Sequence, residues 1–401
     1  MDGGVYCIGM ADAPALSAAT VLELVYFDAG GGHRAAAGAL QEAIRLQGRP
    51  WLVRLVNLQE ILAPLDVARR LFGVGTQDLY NAMLRRGWTV GAAAGLRLLH
   101  GLIRLTHGRQ VELLAAHWRQ SRPALVVSLV PNFNRAIHES VRRALPGVPS
   151  VTVLTDWADY PPHFWIEPDT PAVVCGTAEA ARQAAAAGVA AGGIHRVSGM
   201  ILDPRWYAEP ELDAAAVRAE LGLAPEPTTA LVLYGGFGSG RMREVARAVE
   251  RAGLALQLIL VCGHNRRLEA SLRALARQAR TRMSVVGFTR ELPRLMAASD
   301  FLIGKPGPGS LSEALQRRLP PVVERNWGTL PQERFNADWV QAQGLGIAVR
   351  SRWELVPALR RMLDAGERAR MRERAAAVHN RAVWEIPEIL AKLLGAQAQQ
   401  A

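Results

Sequence analysis

Twice along this chain a run of strand-forming residues ends in a glycine cluster and passes straight into a helix-forming stretch, and that unit leaves few folds open. The first copy is Val21-Leu-Glu-Leu-Val-Tyr-Phe27, then Asp28-Ala-Gly-Gly-Gly32, then the alanine-rich stretch from His33 to Gln47. The second is Ala230-Leu-Val-Leu-Tyr234, then Gly235-Gly-Phe-Gly-Ser-Gly240, then Arg241 to Ala252. β-Branched and aromatic side chains suit a pleated strand, and glycine lets the backbone turn tightly before a helix. Further strand candidates are Ala124 to Val130, Ser150 to Leu154, Ala172 to Val174, Leu256 to Cys262, Met283 to Val286 and Asp300 to Ile303. Strands alternating with helices predict parallel sheets, because each connection must cross back over the sheet. Two such beginnings in 401 residues, more than one core usually supports, predict two Rossmann-like α/β domains facing across a cleft.

The expected division is an N-terminal extension over residues 1–20, one α/β domain over 21–200, a second over 201–379, and a C-terminal helix over 380–401 that returns to the first domain. Pro204, Pro210, Pro225 and Pro227 mark residues 198–227 as the connection. The extension lacks the basic start and sustained apolar run of a secretory signal. No window reaches the roughly 18 uninterrupted apolar residues of a membrane span. The best stretch, Trp88 to Leu105, is broken by Arg97, His100 and Arg104. Cys7, Cys175 and Cys262 lie too far apart for a C-x-x-C site, which suits a reducing cytoplasm.

The formal charge of +11 comes almost wholly from arginine, since Lys305 and Lys392 are the only lysines. Such a field favours anionic partners. Basic residues interleaved with aromatics and known reader motifs are both absent, so no nucleic-acid partner is expected. The stretch from Arg85 to Arg109 mixes leucines, a tryptophan and several cations, as in a helix lying on an anionic membrane surface. A buried amphipathic helix with a solvated basic face reads the same way. There is no D-x-D pair or close His and carboxylate cluster for a metal, and no G-x-S-x-G elbow.

Open α/β sheets bind ligands outside the carboxyl ends of their strands, where the distinctive motifs fall. His33 stands at a helix start, where the dipole disfavours imidazolium and leaves a neutral ring able to accept a proton. A histidine that only caps the helix is the plainer alternative. Gly236 and Gly238 in the loop 235–240, and Lys305-Pro-Gly-Pro-Gly-Ser310 with Gly307, Gly309 and Ser310, both join a strand to a helix. Backbone N–H groups at such turns hold anions, and two phosphate-sized sites suit a diphosphate. Ser310 and Glu313 also have capping-box spacing, which would simply start a helix over 311–318. Gln332, Glu333 and Asn336 fall within about one helical turn and offer donors and acceptors to sugar hydroxyls, though an ordinary solvated helix start reads alike.

Taken together, Phe27-Asp-Ala-Gly-Gly-Gly-His-Arg-Ala-Ala-Ala37, Val261-Cys-Gly-His-Asn265, Gly287-Phe288 and Lys305-Pro-Gly-Pro-Gly-Ser-Leu-Ser-Glu-Ala314 resemble monogalactosyldiacylglycerol synthases and processive diacylglycerol glucosyltransferases. These belong to glycosyltransferase family 28. The C-terminal half also resembles the GlcNAc transferase of peptidoglycan synthesis, and the likeness runs from about Val21 to Val349. It implies a GT-B fold, a lipid acceptor in the first domain, a UDP-sugar in the second, no further cofactor, and a peripheral enzyme on the inner face of the cell membrane.

By the same resemblance His33 deprotonates the acceptor hydroxyl, and direct attack inverts the anomeric centre. Gly238 and residues 307–310 meet the diphosphate, Gly287 and Phe288 flank the uracil, Glu313 holds the ribose, and Gln332, Glu333 and Asn336 hold the sugar. Thr155-Asp156 and His163 to Trp165 resemble the acceptor side, which makes Asp156 a second acid/base or acceptor-binding candidate. The chain reads Ser128-Leu-Val-Pro-Asn132 where the family often has histidine or threonine before the proline, so the acceptor stays open. A polyprenyl-linked or soluble acceptor, a UDP-GlcNAc 2-epimerase and a non-catalytic nucleotide-sugar-binding protein are the alternatives.

Overall fold

A computed structural model describes residues 20–28, 32–65, 101, 103–208 and 213–398. Residues 1–19, Gly30, Gly31 and, within the Arg85 to Arg109 stretch, residues 85–100 and 102 lie outside the described residues.

Among the described residues twelve strands form two six-stranded sheets in which every pairing is parallel. The first contains β1 (Thr20–Tyr26), β2 (Trp51–Asn57), β3 (Leu125–Ser128), β4 (Ser150–Val153), β5 (Val173–Cys175) and β6 (Ile194–Arg196), in the spatial order β2-β1-β3-β4-β5-β6. The second contains β7 (Thr228–Leu233), β8 (Leu256–Val261), β9 (Met283–Val286), β10 (Phe301–Gly304), β11 (Pro321–Glu324) and β12 (Ile347–Val349), ordered β12-β11-β10-β7-β8-β9. β2, β6, β11 and β12 are additional to the strands expected from sequence.

Helices cover both faces of each sheet, and alternate side chains of a strand enter different cores. Ala230 and Val232 of β7 and Leu258 and Leu260 of β8 join one cluster, while Leu231, Leu233, Ile259 and Val261 join the other. β1 divides likewise, with Leu22 and Leu24 on one side and Val25 on the opposite side. A strand buried on both faces reads as a continuous apolar run, as β8 does.

The chain passes between the sheets twice. Val197 packs under the first sheet whereas Leu202 and Trp206 pack under the second. The final helix, Ala382–Ala398, returns to the first sheet, burying Ala382, Ile386, Ile389 and Leu390 against Leu40 and Ile44 of the helix Gly32–Leu46. Each large aliphatic side chain so buried contributes about 2 kcal/mol. At the crossing Asn380 Nδ2 donates to the Met200 carbonyl at 2.9 Å. A Cβ on Gly199 would come 2.6 Å from the Asn380 side chain, so the two segments meet where only glycine fits. The stretch 198–227 is not purely irregular: Asp213 caps a short helix, Ala214–Glu220. No helix among the described residues is long and apolar enough to cross a membrane.

Candidate functional site

In each sheet the strand order reverses beside its first strand, at β1/β3 in one and β7/β10 in the other. The loops leaving such neighbours run to opposite faces and open a crevice between them. The glycine turn over 235–240 leaves β7, and the helix that carries His33 follows β1.

On the first side, His33 occupies the opening turn of the helix Gly32–Leu46. Its Nδ1 lies 3.1 Å from the Thr155 hydroxyl, and the ring packs at 5.8 Å against Trp165. Burial lowers its pKa to about 4, with the Leu129 carbonyl acting the other way, so the ring is neutral at physiological pH. The neutral form matches the expectation, and burial is a cause that the sequence reading did not include.

Asp156 is only 9% exposed and accepts a hydrogen bond from Trp165 Nε1 at 2.9 Å. Burial raises its pKa to about 7; Trp165 opposes that shift, Glu333 adds to it, and Lys305 works against it. The loop around it is fixed by buried polar groups. Asp159 accepts from the backbone N–H groups of His163 and Trp165 at 3.0 and 2.7 Å. Asn134 Nδ2 donates to the Val130 and Trp165 carbonyls, and Ser128 donates to Asn134 Oδ1. Asn132 and His163 take left-handed backbone angles, φ 69 and 63, where non-glycine residues are uncommon.

On the second side, Gly235 and Gly238 have φ 74 and 57. The Gly236 carbonyl accepts from the His264 N–H at 2.9 Å, and a Cβ on Gly263 would stand 2.0 Å from that carbonyl oxygen. The loops after β7 and β8 are therefore in backbone contact. Gly263→Ala should cost distinctly more stability than Gly253→Ala. Both sites have φ near 57, worth about 1–2 kcal/mol of strain, but nothing lies within 4 Å of a Cβ on Gly253. Equal denaturation midpoints for the two variants would show that the contact gives way freely.

A Cβ on Gly287 would come 2.8 Å from Glu269 Oε2, so a side chain there requires the Glu269 carboxylate to shift. Phe288 is 58% exposed and stacks on His264, with ring centres 4.1 Å apart and planes 18° from parallel. His264 had no expected role. Its signal, the Cys-Gly-His run after an apolar strand, is legible only once the facing phenylalanine is known.

The helix expected over 311–318 spans Pro308–Gln316, with Gly307 as its N-cap and no side-chain cap. This corrects the capping-box reading: Ser310 lies inside the first turn rather than before it. The N–H groups of Gly309 and Ser310 then point out of a helix start, as anion binding requires. Glu313, one turn on and partly exposed, has its pKa raised to about 7 by burial, with Arg205 opposing and Asp203 assisting.

Lys305 Nζ and Glu333 Oε1 form an ion pair at 2.6 Å. Glu333 belongs to the helix Pro331–Ala342, whose first turn also carries the partly exposed Gln332. Asn336 departs from the expected sugar contact: it is fully buried and its Nδ2 donates to the Pro306 carbonyl at 2.9 Å. It braces the 305–310 loop from behind.

The two sides meet through aromatic residues. Trp157 packs edge-on against Trp339 at 4.9 Å and its Nε1 donates to Ser312 Oγ at 3.2 Å, while Tyr160 lies 5.9 Å from Phe335. Asp156, adjacent to Trp157, consequently feels the charges of Lys305 and Glu333 from the other sheet. A neutral imidazole, a carboxyl group poised near neutrality and an ion pair beside an uncapped helix start thus share one cleft. Such a set can take a proton from a hydroxyl and hold a phosphorylated leaving group.

No family model matches the chain. Among curated proteins it is similar to the probable monogalactosyldiacylglycerol synthase 2, chloroplastic, of Oryza sativa subsp. japonica, 29% identical over 355 residues that cover 82% of this chain and 71% of that protein. Among solved structures it is similar in fold to Acinetobacter baumannii MurG, with TM-score 0.60, 12% identity, and coverage of 92% and 99% of the two chains. A putative UDP-N-acetylglucosamine 2-epimerase from Listeria monocytogenes matches with TM-score 0.59, 12% identity, and coverage of 92% and 94%. The two-sheet architecture and these likenesses make the chain a glycosyltransferase of GT-B fold, similar in sequence to the monogalactosyldiacylglycerol synthases.

Proposed function

We propose that this chain is an inverting, metal-independent hexosyltransferase that moves a sugar from a UDP-sugar to a membrane lipid such as diacylglycerol, working peripherally on the inner face of the cell membrane. The observation that supports the reading is Asp156, whose carboxyl feels Lys305 and Glu333 of the second sheet and takes a hydrogen bond from Trp165, the ring against which His33 packs. In this reading the acceptor hydroxyl lies beside His33, which takes its proton as the oxygen attacks the anomeric carbon. Diphosphate charge collects at the glycine loop 235–240 and the start of the helix Pro308–Gln316, near Lys305, and leaves as UDP. A base whose conjugate acid sits near 4 is weak; the negative charge of the donor raises it toward the working range.

Phe288 and His264 offer a face for uracil, Glu313 for ribose hydroxyls, and Gln332 and Glu333 for the sugar. The stretch from Arg85 to Arg109 supplies a cationic membrane contact. The test is UDP release from a panel of UDP-sugars in the presence of diacylglycerol vesicles, with glycolipid product identified by mass spectrometry. Lipid-dependent release from one sugar supports the reading. Conversion of UDP-GlcNAc to its 2-epimer without lipid would replace it with the epimerase chemistry named for the Listeria structure.

A further inference from the structure

Two tryptophans stand in solvent: Trp327 is 94% exposed and Trp353 is 75% exposed. Both follow the carboxyl ends of adjacent parallel strands, β11 and β12, which pair at Glu324 and Val349. The Arg325 N–H still donates to the Val349 carbonyl at 2.7 Å, so the two chains leave the sheet side by side. Trp327 lies three residues past Glu324 and Trp353 four past Val349, hence each within about 14 Å of its strand end at full extension.

The turn that presents Trp327 is held from within. Asn326 Oδ1 accepts from the Gly328 N–H and Thr329 Oγ1 accepts from the Asn326 N–H, both at 2.9 Å. Arg334 Nε donates to the Thr329 carbonyl at 3.1 Å. An indole fixed in water forfeits its burial for no gain inside this fold. Four arginines surround the pair: Arg325, Arg334, Arg350 and Arg352. The Arg352 guanidinium lies 4.5 Å over the Trp353 ring. Against them stand Asp338, paired with Arg325, and Glu354, which accepts from the Arg350 N–H. The balance is cationic, and an indole flanked by guanidinium groups fits the headgroup layer of an anionic bilayer, ring among the acyl carbonyls and charge on the phosphates.

We propose that the Trp327 turn and the start of the helix Arg352–Leu363, which carries Trp353, dock on an anionic lipid surface. The contact is separate from the Arg85 to Arg109 stretch and brings the donor-holding half down to the membrane; that last consequence rests on the lipid-acceptor reading above, whereas the docking does not.

The test is flotation of the full chain with phosphatidylglycerol/phosphatidylcholine vesicles and no donor sugar, using wild type, the double variant Trp327→Ala/Trp353→Ala and the double variant Arg350→Glu/Arg352→Glu. All four side chains are exposed, and circular dichroism verifies that each variant folds. Each double variant should bind about tenfold or more weakly, and wild-type binding should weaken as salt rises from low to high ionic strength. Wild-type affinity in both variants overturns the proposal, as does absence of wild-type binding. Tryptophan-dependent self-association with unchanged vesicle binding would overturn it in favour of a second copy of the chain. Tryptophan-dependent flotation without any glycolipid product would keep this inference and remove the acceptor reading; glycolipid synthesis with tryptophan-independent flotation would do the reverse.

Discussion

His33→Ala is expected to lower turnover by about two to four orders of magnitude, the span that loss of a positioned general base produces, while leaving donor binding nearly intact. The split follows from placement. His33 sits on the helix after β1, whereas the glycine loops and the Lys305–Glu333 pair belong to the second sheet. Nucleotide affinity depends on the latter and proton removal on the former. The measurement is kcat and KM for the UDP-sugar, with UDP affinity by calorimetry as a check. A kcat loss with UDP affinity within about twofold fits a base. A variant that keeps wild-type kcat would reduce His33 to a helix-start residue held between Thr155 and Trp165. The pH profile adds a second reading: with a pKa of about 4, His33 stays deprotonated in the free enzyme over the whole neutral range. Any ionisation near 7 in kcat/KM must therefore come from another group.

The backbone logic of this fold was open to reading because glycine and strand formers act locally. The strands and helices of both units appear where expected, and β9 and the helix Arg241–Ala252 match residue for residue. Strands escaped where the local pattern was thin. β6 and β12 are three residues long, and β2 is an edge strand whose Leu52 and Leu55 face solvent, so its apolar residues do not alternate with a buried face. The 308–316 helix began early because a glycine N-cap and a proline in the first turn outweigh a serine three residues later.

Site chemistry divides the same way. Glycine turns were legible as turns, but the partners of their neighbours were not. Glu333 reads as a sugar ligand alone, and its ion pair with Lys305, 28 residues away, is not legible in sequence. Asn336 reads as exposed until its burial under Pro306 is seen. Asp159 and Asn134 gave no signal, since they serve backbone groups on loops that sequence does not juxtapose.

Asp156→Asn should make the protein more stable at pH 8 and less active, the opposite directions that mark a group kept for function rather than folding. The carboxyl titrates near 7 in the folded chain against 3.8 in its ordinary state, so the folded protein holds this proton more tightly than the unfolded one. Stability from this group is then present in full at acid pH and is lost as pH rises from about 4 through 7, by about 1.4 kcal/mol per unit and about 4 kcal/mol in all. Asparagine carries no charge to bury and keeps an oxygen for Trp165 Nε1, so it removes the penalty while preserving that bond. Denaturation midpoints at pH 5 and pH 8 measure it: the drop between them should shrink in the variant. It should not vanish, because Glu313 titrates near the same pH. Activity should fall about a hundredfold, as expected for loss of an acid/base or orienting group, together with the ionisation near 7 in kcat/KM. A variant with unchanged turnover and a flattened stability profile would leave Asp156 as a strained buried carboxyl with no part in the reaction. One with unchanged stability at pH 8 would mean that water reaches it and that its charge costs the fold little.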